Sequence, residues 1–250
     1  MLYSFVYYTK KQPIMKQFIF SLLAVSIIMT ACEGPAPAPE PKENHIGIKK
    51  ENGEDFVIEY EMDTVRNVKE GYYKIIMNNG KVAFEQQYKN DTLVGTEKEY
   101  HANGELKSEF LVANGQYNGV FKYYFEDGKI YQEGVNVNGQ IEGELETYYP
   151  NGQLKETVMM SKSIEEGPFI EYFDNGKTKT KGTYKNGKEH CLLEMYKEDA
   201  SGEVEFKKIC RDGQCCTFWS LKDGDTEPTN DLCKEVLETM KTECGIEELQ

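Results

Sequence analysis

Histidine, the residue that most often carries acid–base catalysis or binds metal ions, is scarce in this sequence. There are 3 histidines in 250 residues, His45, His101 and His190, and their spacing matches no metal-binding motif. We expect them on the surface, in an N-terminal segment, a hairpin tip and a late turn. The chain also lacks a glycine-rich phosphate loop, a Gly-x-Ser-x-Gly elbow and a His-Glu-x-x-His motif. The sequence therefore predicts no enzyme, no catalytic residue, no metal and no cofactor.

Positive charge is also in short supply. The chain has 29 Lys and Arg against 43 Asp and Glu, which gives a net charge of -14. Three lysines, Lys10, Lys11 and Lys16, lie in residues 1–32, which contain no acid, so 26 basic residues face all 43 acids in the remainder. Such a surface repels phosphate backbones and anionic headgroups. Neither nucleic acid nor a lipid headgroup is expected as a direct partner.

The apolar run Phe18–Met29 is too short to span a bilayer. It follows Lys16 and ends in Thr30-Ala31-Cys32, an arrangement typical of a secretory signal. The Met-Thr-Ala-Cys end resembles the lipobox of bacterial lipoproteins. That resemblance implies a signal peptide over residues 1–31 and a diacylated Cys32 that anchors the protein to a membrane of the bacterial envelope, in the periplasm or on the surface. The alternative is an ordinary signal peptide in which Cys32 occurs by chance. Met15 is a more natural translation start for this signal than Met1.

Residues 32–44 follow the predicted cleavage point and are rich in proline. Their sequence, CEGPAPAPEPKEN, has Pro at positions 35, 37, 39 and 41. We expect an extended polyproline-type tether that holds the following domain away from the membrane.

Glycine and tyrosine, in contrast, are abundant and periodic. The chain contains 22 Gly and 17 Tyr with only 39% hydrophobic residues, which favours many short strands and turns. Three turn or glycine series recur in phase with a 24-residue period: Gly71, Gly95, Gly119, Gly143 and Gly167; Gly80, Gly104, Gly128, Gly152 and Gly176; and Asn-Gly pairs at 114–115, 138–139 and 186–187. Such phasing defines a repeat protein. At YYPNGQLKE, Tyr148–Glu156, we expect a type I′ turn with Asn151 and Gly152 both at positive φ.

Each 24-residue unit has room for two strands and two tight turns. Alternation along the first strand puts Phe121 and Tyr123 on one face of a sheet, and Lys122 and Tyr124 on the other. One hairpin cannot bury its own aromatic rings, so the units stack. The predicted fold is all-β: an elongated antiparallel meander over residues 71–213, preceded by an N-terminal hairpin over residues 45–70. A tyrosine ladder is the candidate binding surface: Tyr100, Tyr124, Tyr148, Tyr172 and Tyr196.

The repeated unit resembles the bacterial variant of the MORN repeat. It reads Tyr-[Tyr/Phe]-x-[Asn/Asp]-Gly-x-[Leu/Ile/Lys], with a further glycine nine residues before the turn glycine, over roughly Gly71–Gly213. Chains of this kind are commonly labelled YwqK-like antitoxin proteins. The resemblance implies a protein partner, a toxin for example, and brings no catalytic residues. The lipoprotein-like signal of this chain departs from the pattern of that family. A partner would therefore be encountered in the cell envelope.

The C-terminal residues 214–250 are predicted to form a small cap with one helix. Thr229 or Asn230 can N-cap a helix from Asp231 to about Glu243, and Gly245 can end it. Six cysteines lie late in the chain, from position 191 onward, and we expect them to form disulfides in an exported protein: Cys191, Cys210, Cys215, Cys216, Cys233 and Cys244.

One pairing follows from turn geometry. If Asp212-Gly213 is a two-residue turn, Cys210 faces Cys215 in a non-hydrogen-bonded pair, within disulfide range. Cys233 and Cys244 lie too far apart along one helix to bond each other. We expect them to pair with Cys191 and Cys216, in an order that the sequence leaves open. A zinc site and thiol chemistry are the alternatives, but zinc needs reduced thiols and no Cys-x-x-Cys is present.

The features favour one function and leave two alternatives, of which the enzymatic one has the least support. The first is a membrane-anchored protein-binding module, of which an antitoxin or immunity-type lipoprotein is one form. The second is a structural envelope protein with no discrete ligand, which would self-associate through its sheet edges. The third is a glycan-acting enzyme, which would need two carboxylates converging at about 5–10 Å.

Overall fold

The computed structural model describes residues 45–199, 201–225 and 230–245, all within one compact unit, Asn44–Gln250. The predicted signal peptide, Cys32 and the tether lie outside the described residues. The strands are β1 (Ile46–Asn52), β2 (Phe56–Asp63), β3 (Val68–Met77), β4 (Val82–Lys89), β5 (Thr92–Tyr100), β6 (Leu106–Ala113), β7 (Gln116–Tyr124), β8 (Ile130–Val137), β9 (Gln140–Ile141), β10 (Gly143–Tyr148), β11 (Leu154–Ser161), β12 (Ile164–Tyr172), β13 (Thr178–Lys185), β14 (Lys188–Tyr196), β15 (Val204–Arg211), β16 (Gln214–Ser220) and β17 (Gly224–Asp225). One helix follows, α1 (Asp231–Glu243).

The strands form one antiparallel sheet in sequence order, so the predicted meander is confirmed. Each strand from β1 to β8 pairs with the next, and the same holds from β10 to β17. The two halves join at β8, which pairs with β9 through Asn136 and Val137 and with β10 through Gln132 and Glu133. β9 and β10 therefore act as one interrupted strand.

Type I′ turns join each unit to the next. Both residues of Asn114-Gly115 have positive φ, 52° and 78°, as the Asn-Gly sequence predicts. The Gly115 N–H donates a hydrogen bond at 2.9 Å to the carbonyl of Leu93, near the start of β5 and just after the previous turn, and the Gly187 N–H donates to Glu165 of β12 in the same way. These turns are therefore stacked on one another along one margin of the sheet.

The turn within each unit is different, and the type I′ prediction for YYPNGQLKE is wrong. The Gly152 N–H donates to the Tyr149 carbonyl and the Tyr149 N–H donates to the Gln153 carbonyl, each at 2.8 Å. Gly152 has a φ of 87°, but Asn151 is not at positive φ. Three residues lie between Tyr149 and Gln153, and at that length the favoured loop is a type I turn followed by one left-handed residue. The Asn151 side chain accepts the Gln153 N–H at 2.9 Å and fixes this loop.

Helix α1 lies where the sequence places it and packs on the last hairpin. Its N-cap is Asn230, whose Oδ1 accepts the Cys233 N–H at 2.9 Å. Val236 and Met240 are fully buried against a cluster that includes Ile209. No helix within the described ranges is both long enough and apolar enough to cross a bilayer.

Three disulfides hold the C-terminal end together. The Cys210–Cys215 pairing agrees with the prediction from the hairpin. The others are Cys191–Cys244 and Cys216–Cys233, which settle the order that the sequence left open and tie α1 to β14 and β16.

The predicted surface position of His190 is wrong. His190 lies in β14 with 8% of its surface exposed, because the end of α1 covers it and brings the Glu243 carboxylate to 3.3 Å from Nε2. His45 is exposed, and His101 lies at a hairpin tip as predicted, with Nε2 3.0 Å from the Tyr124 carbonyl.

Candidate protein-binding surface

The pairing register divides the sheet into two faces. Phe121 lies opposite Gly134, and the next residue, Lys122, lies opposite Glu133 on the other face. We call the first the phenyl face; Phe121 and Phe169 are there, with only 2% and 3% of their surface exposed. The second, with Lys122 and Tyr124, is the tyrosine face. Most of the apolar burial of the repeats therefore occurs on the phenyl face.

The predicted tyrosine ladder lies on the tyrosine face and is hydrogen-bonded within the protein. In three units the tyrosine hydroxyl donates to the glutamate fifteen residues earlier: Tyr100 to Glu85 (2.8 Å), Tyr124 to Glu109 (2.6 Å) and Tyr148 to Glu133 (3.0 Å). Thr157 and Lys181 stand at the glutamate position for Tyr172 and Tyr196. The Lys181 ammonium lies 5.5 Å from the Tyr196 ring centroid, a cation–π contact. The ladder is therefore regular over three units and changes in the last two.

In the regular part of the ladder the pKa values of Tyr100, Tyr124 and Tyr148 are raised, and those of Glu85 and Glu133 are lowered. Burial, together with the Glu85 carboxylate, raises the pKa of Tyr100 to about 12. The Lys122 ammonium, 2.9 Å from Glu133, lowers the pKa of that carboxyl, and the Tyr148 hydroxyl adds to the effect. Because the hydroxyls of Tyr100, Tyr124 and Tyr148 already donate hydrogen bonds within the protein, these residues offer a partner mainly the faces and edges of their rings.

An exposed apolar row runs beside the ladder on the same face. We define the apolar row as Leu111, Val120 and Val135, which are 44%, 44% and 40% exposed. Val120 lies directly opposite Val135. Leu111 lies opposite the bulge that contains Gly119, and its side chain would contact a Cβ built at that glycine. The three side chains thus form a contiguous patch, and such patches often mark interaction sites.

The same row is covered at the C-terminal end of the sheet. Leu192 and Ile209 pair across β14 and β15 as Val120 and Val135 pair across β7 and β8, three units earlier. Helix α1 covers this later pair with the fully buried Val236. The protein therefore shows how a helix fits one part of this row and leaves the part over β6–β8 exposed.

Charged side chains border the exposed part of the row. The Lys122–Glu133 ion pair, at 2.9 Å, lies next to Val120 and Val135 along their strands. An apolar centre with a polar border is the usual anatomy of a protein interface.

The phenyl face contains a polar site that the alternation of residues along the strands did not predict. Glu97 occupies the position that corresponds to Phe121 in the next unit. Its carboxylate accepts hydrogen bonds from the Tyr117 hydroxyl and from Gln86 Nε2, each at 2.6 Å. Burial and Glu97 raise the pKa of Tyr117 to about 12. A shallow depression of about 410 Å³ opens beside these side chains, bordered also by Asn138. Aligning the units at the 24-residue period would have revealed Glu97 as the exception.

Two carboxylates also meet on the phenyl face. Glu156 lies directly opposite Glu171 across β11 and β12. Burial raises the pKa of Glu156, and the charges of Glu171 and Glu165 add to the effect. The pair is unfavourable for the sheet at neutral pH, because like charges directly opposite repel.

The comparison with known families matches the central repeats. Four segments match the MORN repeat variant: residues 93–114, 117–136, 141–161 and 165–186, about a third of the chain. These segments correspond to the strand pairs β5–β6, β7–β8, β10–β11 and β12–β13, and they contain the whole apolar row. No match was found among curated proteins. A repeat-based binding or structural protein is consistent with these findings.

Proposed function

We propose that this protein is a repeat-based protein-binding module whose partner docks on the tyrosine face over the apolar row. The observation that carries the proposal is the contrast along that row. It is covered by α1 at Leu192 and Ile209, and it is exposed at Leu111, Val120 and Val135. Burial of three aliphatic side chains and the adjoining tyrosine rings supplies the hydrophobic centre that a stable complex needs.

The chemistry of α1 indicates the kind of segment that fits. Val236, Leu237 and Met240 present apolar side chains at helical spacing to the sheet, and all three are buried. A partner with an amphipathic helix can repeat that contact over β6–β8, with its charged side chains on Lys122 and Glu133. Repeat sheets commonly bind through such extended faces.

Site-specific photo-crosslinking tests the docking surface. A photoreactive residue at position 120 of the full-length protein should give a saturable adduct of one size in envelope extracts. Excess wild-type protein without the photoreactive residue should compete for the partner and reduce the amount of adduct. The Val120→Lys, Val135→Lys double variant should not reduce it. Val65→Lys is the matched control, since Val65 is an exposed valine in the β2–β3 turn, away from the row. Equal competition by both variants would contradict the proposal, provided that their unfolding midpoints match that of the wild type.

The membrane anchor is a second part of the proposal. The lipobox-like end at Met29-Thr30-Ala31-Cys32 supports diacylation of Cys32, with the repeat sheet held in the envelope by the proline-rich tether. Labelling cells with an alkyne fatty acid should mark the wild-type protein and leave Cys32→Ser unlabelled. Equal labelling of both would remove the lipoprotein assignment.

A more specific proposal is that the partner is a toxin encountered in the envelope, in keeping with the antitoxin label of similar repeat chains. The captured partner, expressed with an export signal, should then arrest growth. Co-expression of the wild-type protein should relieve the arrest, and the Val120→Lys, Val135→Lys variant should not. A captured partner that leaves growth unaffected would favour another binding role.

The structural alternative is disfavoured by the edge strand β1. An edge that assembles by strand pairing is usually flat and uncharged, whereas Lys49, Lys50 and Glu51 are all exposed on β1. Sedimentation of the purified protein should therefore show a monomer.

A further inference from the structure

A cluster of potential metal ligands lies where α1 ends against β14. One ligand atom each from His190, Cys191 and Cys244 lies within 4.8 Å of the others. Cys191 and Cys244 form the disulfide between the strand and the helix. Glu243, the last residue of α1, has its carboxylate 3.3 Å from His190 Nε2. The strand and the helix thus bring two sulfurs, an imidazole and a carboxylate together.

His190 is an unusual residue for its place in the repeat. In three other units the equivalent residue is a glutamate that accepts a backbone N–H from the next turn: Glu70 from Asn90, Glu142 from Lys162 and Glu166 from Asn186. His190 is more than nine-tenths buried, and its Nδ1 is buried without a hydrogen-bond partner in the described structure. A buried polar atom without a partner costs free energy, so its presence calls for a role.

The surroundings of the imidazole match those of a metal-binding histidine. Such a histidine usually donates its second ring N–H to a carboxylate, which fixes the tautomer and leaves the other nitrogen for the metal. Glu243 can accept from Nε2, and Lys185, 3.1 Å from Glu243, holds that carboxylate in place. Nδ1 is then the free ligand.

We propose that His190, Cys191 and Cys244 bind one Zn²⁺ when the Cys191–Cys244 disulfide is reduced. Two thiolates and one neutral imidazole are a familiar three-ligand set for zinc, and a solvent oxygen completes the tetrahedron. The two thiolate charges neutralise Zn²⁺, which suits a site whose imidazole is buried and whose cysteines are half-buried. At Zn–S distances of about 2.3 Å the two sulfurs lie roughly 3.8 Å apart, so zinc and the disulfide exclude each other.

The reaction that converts one form to the other balances with a phosphine as the reductant. The phosphine gives two electrons to the disulfide and becomes the phosphine oxide. Water supplies the oxygen of that oxide and the two protons of the new thiols. Zn²⁺ then displaces both thiol protons as it binds. In either form the end of α1 stays attached to β14.

The test uses the full chain with Cys210→Ser and Cys215→Ser, because Glu189, Cys210 and Cys215 form a second cluster of possible ligands. After reduction by a phosphine, metal analysis of the gel-filtered protein should find one zinc per chain, and the oxidised protein should retain none. Co²⁺ in place of zinc should give thiolate charge-transfer and tetrahedral d–d absorption bands.

Single variants separate this site from adventitious binding. His190→Ala should weaken zinc binding by about tenfold or more, and Glu243→Gln by a smaller factor, because Glu243 acts through His190. His101→Ala, at a hairpin tip, is the matched control and should leave the affinity unchanged. A reduced protein that takes up no zinc would overturn the proposal. Equal affinity in His190→Ala, or equal uptake by the oxidised protein, would also overturn it. If reduction unfolds α1, zinc must restore its helical circular dichroism, and failure to do so counts against the site as well.

Discussion

Phe121 lies directly across the sheet from Gly134, and its ring fills the space that a side chain at Gly134 would occupy. A Cβ at Gly134 would lie 3.0 Å from ring carbons of Phe121 and 3.0 Å from a methyl of Leu145. Two units later Phe169 covers Gly182 in the same way. Between these pairs, Leu145 lies opposite Val158. The phenyl face thus matches a large residue with glycine, or two medium residues with each other.

This relationship predicts a compensating pair of substitutions. Gly134→Val alone should destabilise the protein by about 1–3 kcal/mol through overpacking. Phe121→Leu alone should also destabilise, because it leaves space above Gly134. The double variant copies the Leu145–Val158 pair and should be more stable than either single variant, with a coupling energy of at least about 0.5 kcal/mol. Urea unfolding of the four proteins measures this coupling, and simple additivity would contradict it.

A second prediction concerns the left-handed residue of the three-residue loop. A Cβ at Gly152 would meet no atom within 4 Å, so Gly152→Ala changes only the backbone energy at a φ of 87°. We expect a loss of about 1–2 kcal/mol in the free energy of unfolding. Gln153→Ala, the exposed neighbour, is the control and should cost little. Equal denaturation midpoints for the two variants would show that Gly152 is not left-handed.

The sequence predicted the fold because period, turn residues and strand alternation all agree. It could not distinguish the two turn types, because both contain Asn-Gly and the choice depends on how many residues lie between the closing pair. Asn114-Gly115 closes a two-residue turn, whereas Asn151-Gly152 lies in a three-residue loop. That number is set by the strand register, which only the three-dimensional structure provides.

The candidate surface could be predicted only in part. The tyrosine ladder follows from alternation, but its hydrogen bonds join residues fifteen apart on different strands, as Tyr124 and Glu109 show. The apolar row was missed because Leu111 and Val120 look like ordinary strand residues, and their exposure depends on where α1 packs. The burial of His190 has the same origin, since it results from contact with the distant end of the helix.

A third prediction uses the opposed carboxylates Glu156 and Glu171. The pKa of Glu156 is raised in the folded protein, so the folded state holds its proton more tightly than the unfolded chain does. The stability that the protonated Glu156 carboxyl contributes is therefore fully present below the ordinary glutamate pKa. It is lost as the pH rises through the pKa that Glu156 has in the folded protein. Glu156→Gln removes the repulsion and should stabilise the protein by roughly 0.2–1 kcal/mol at neutral pH.

The pH dependence of this gain distinguishes it from a packing effect. Thermal unfolding at about pH 4 and about pH 7 should show a larger gain for Glu156→Gln at the higher pH. Glu144→Gln, at an exposed position of β10, is the control and should show little gain at either pH. A gain for Glu156→Gln that is the same at both values would mean that charge repulsion is not its cause.

The last prediction separates the contributions of the disulfides. Their sequence separations are 53 for Cys191–Cys244, 17 for Cys216–Cys233 and 5 for Cys210–Cys215. Loop-closure entropy then gives stabilisations of about 4, 3 and 2 kcal/mol for the bridges taken singly. Cys216 and Cys233 both lie within the loop that Cys191–Cys244 closes. Removal of these two bridges together should therefore destabilise the protein by less than the sum of their single values.

Cys191 adds a test within this series, because it occupies the sixth place of the glycine series and keeps a left-handed backbone, with a φ of 63°. Two double variants remove the same bridge, namely Cys191→Ser with Cys244→Ser and Cys191→Gly with Cys244→Ser. Glycine relieves the backbone strain that serine retains, so the glycine variant should be the more stable by about 1 kcal/mol. Guanidinium unfolding under non-reducing conditions compares them directly. If the two midpoints coincide, Cys191 is not held in a strained conformation, and the disulfide alone accounts for the choice of cysteine at this position.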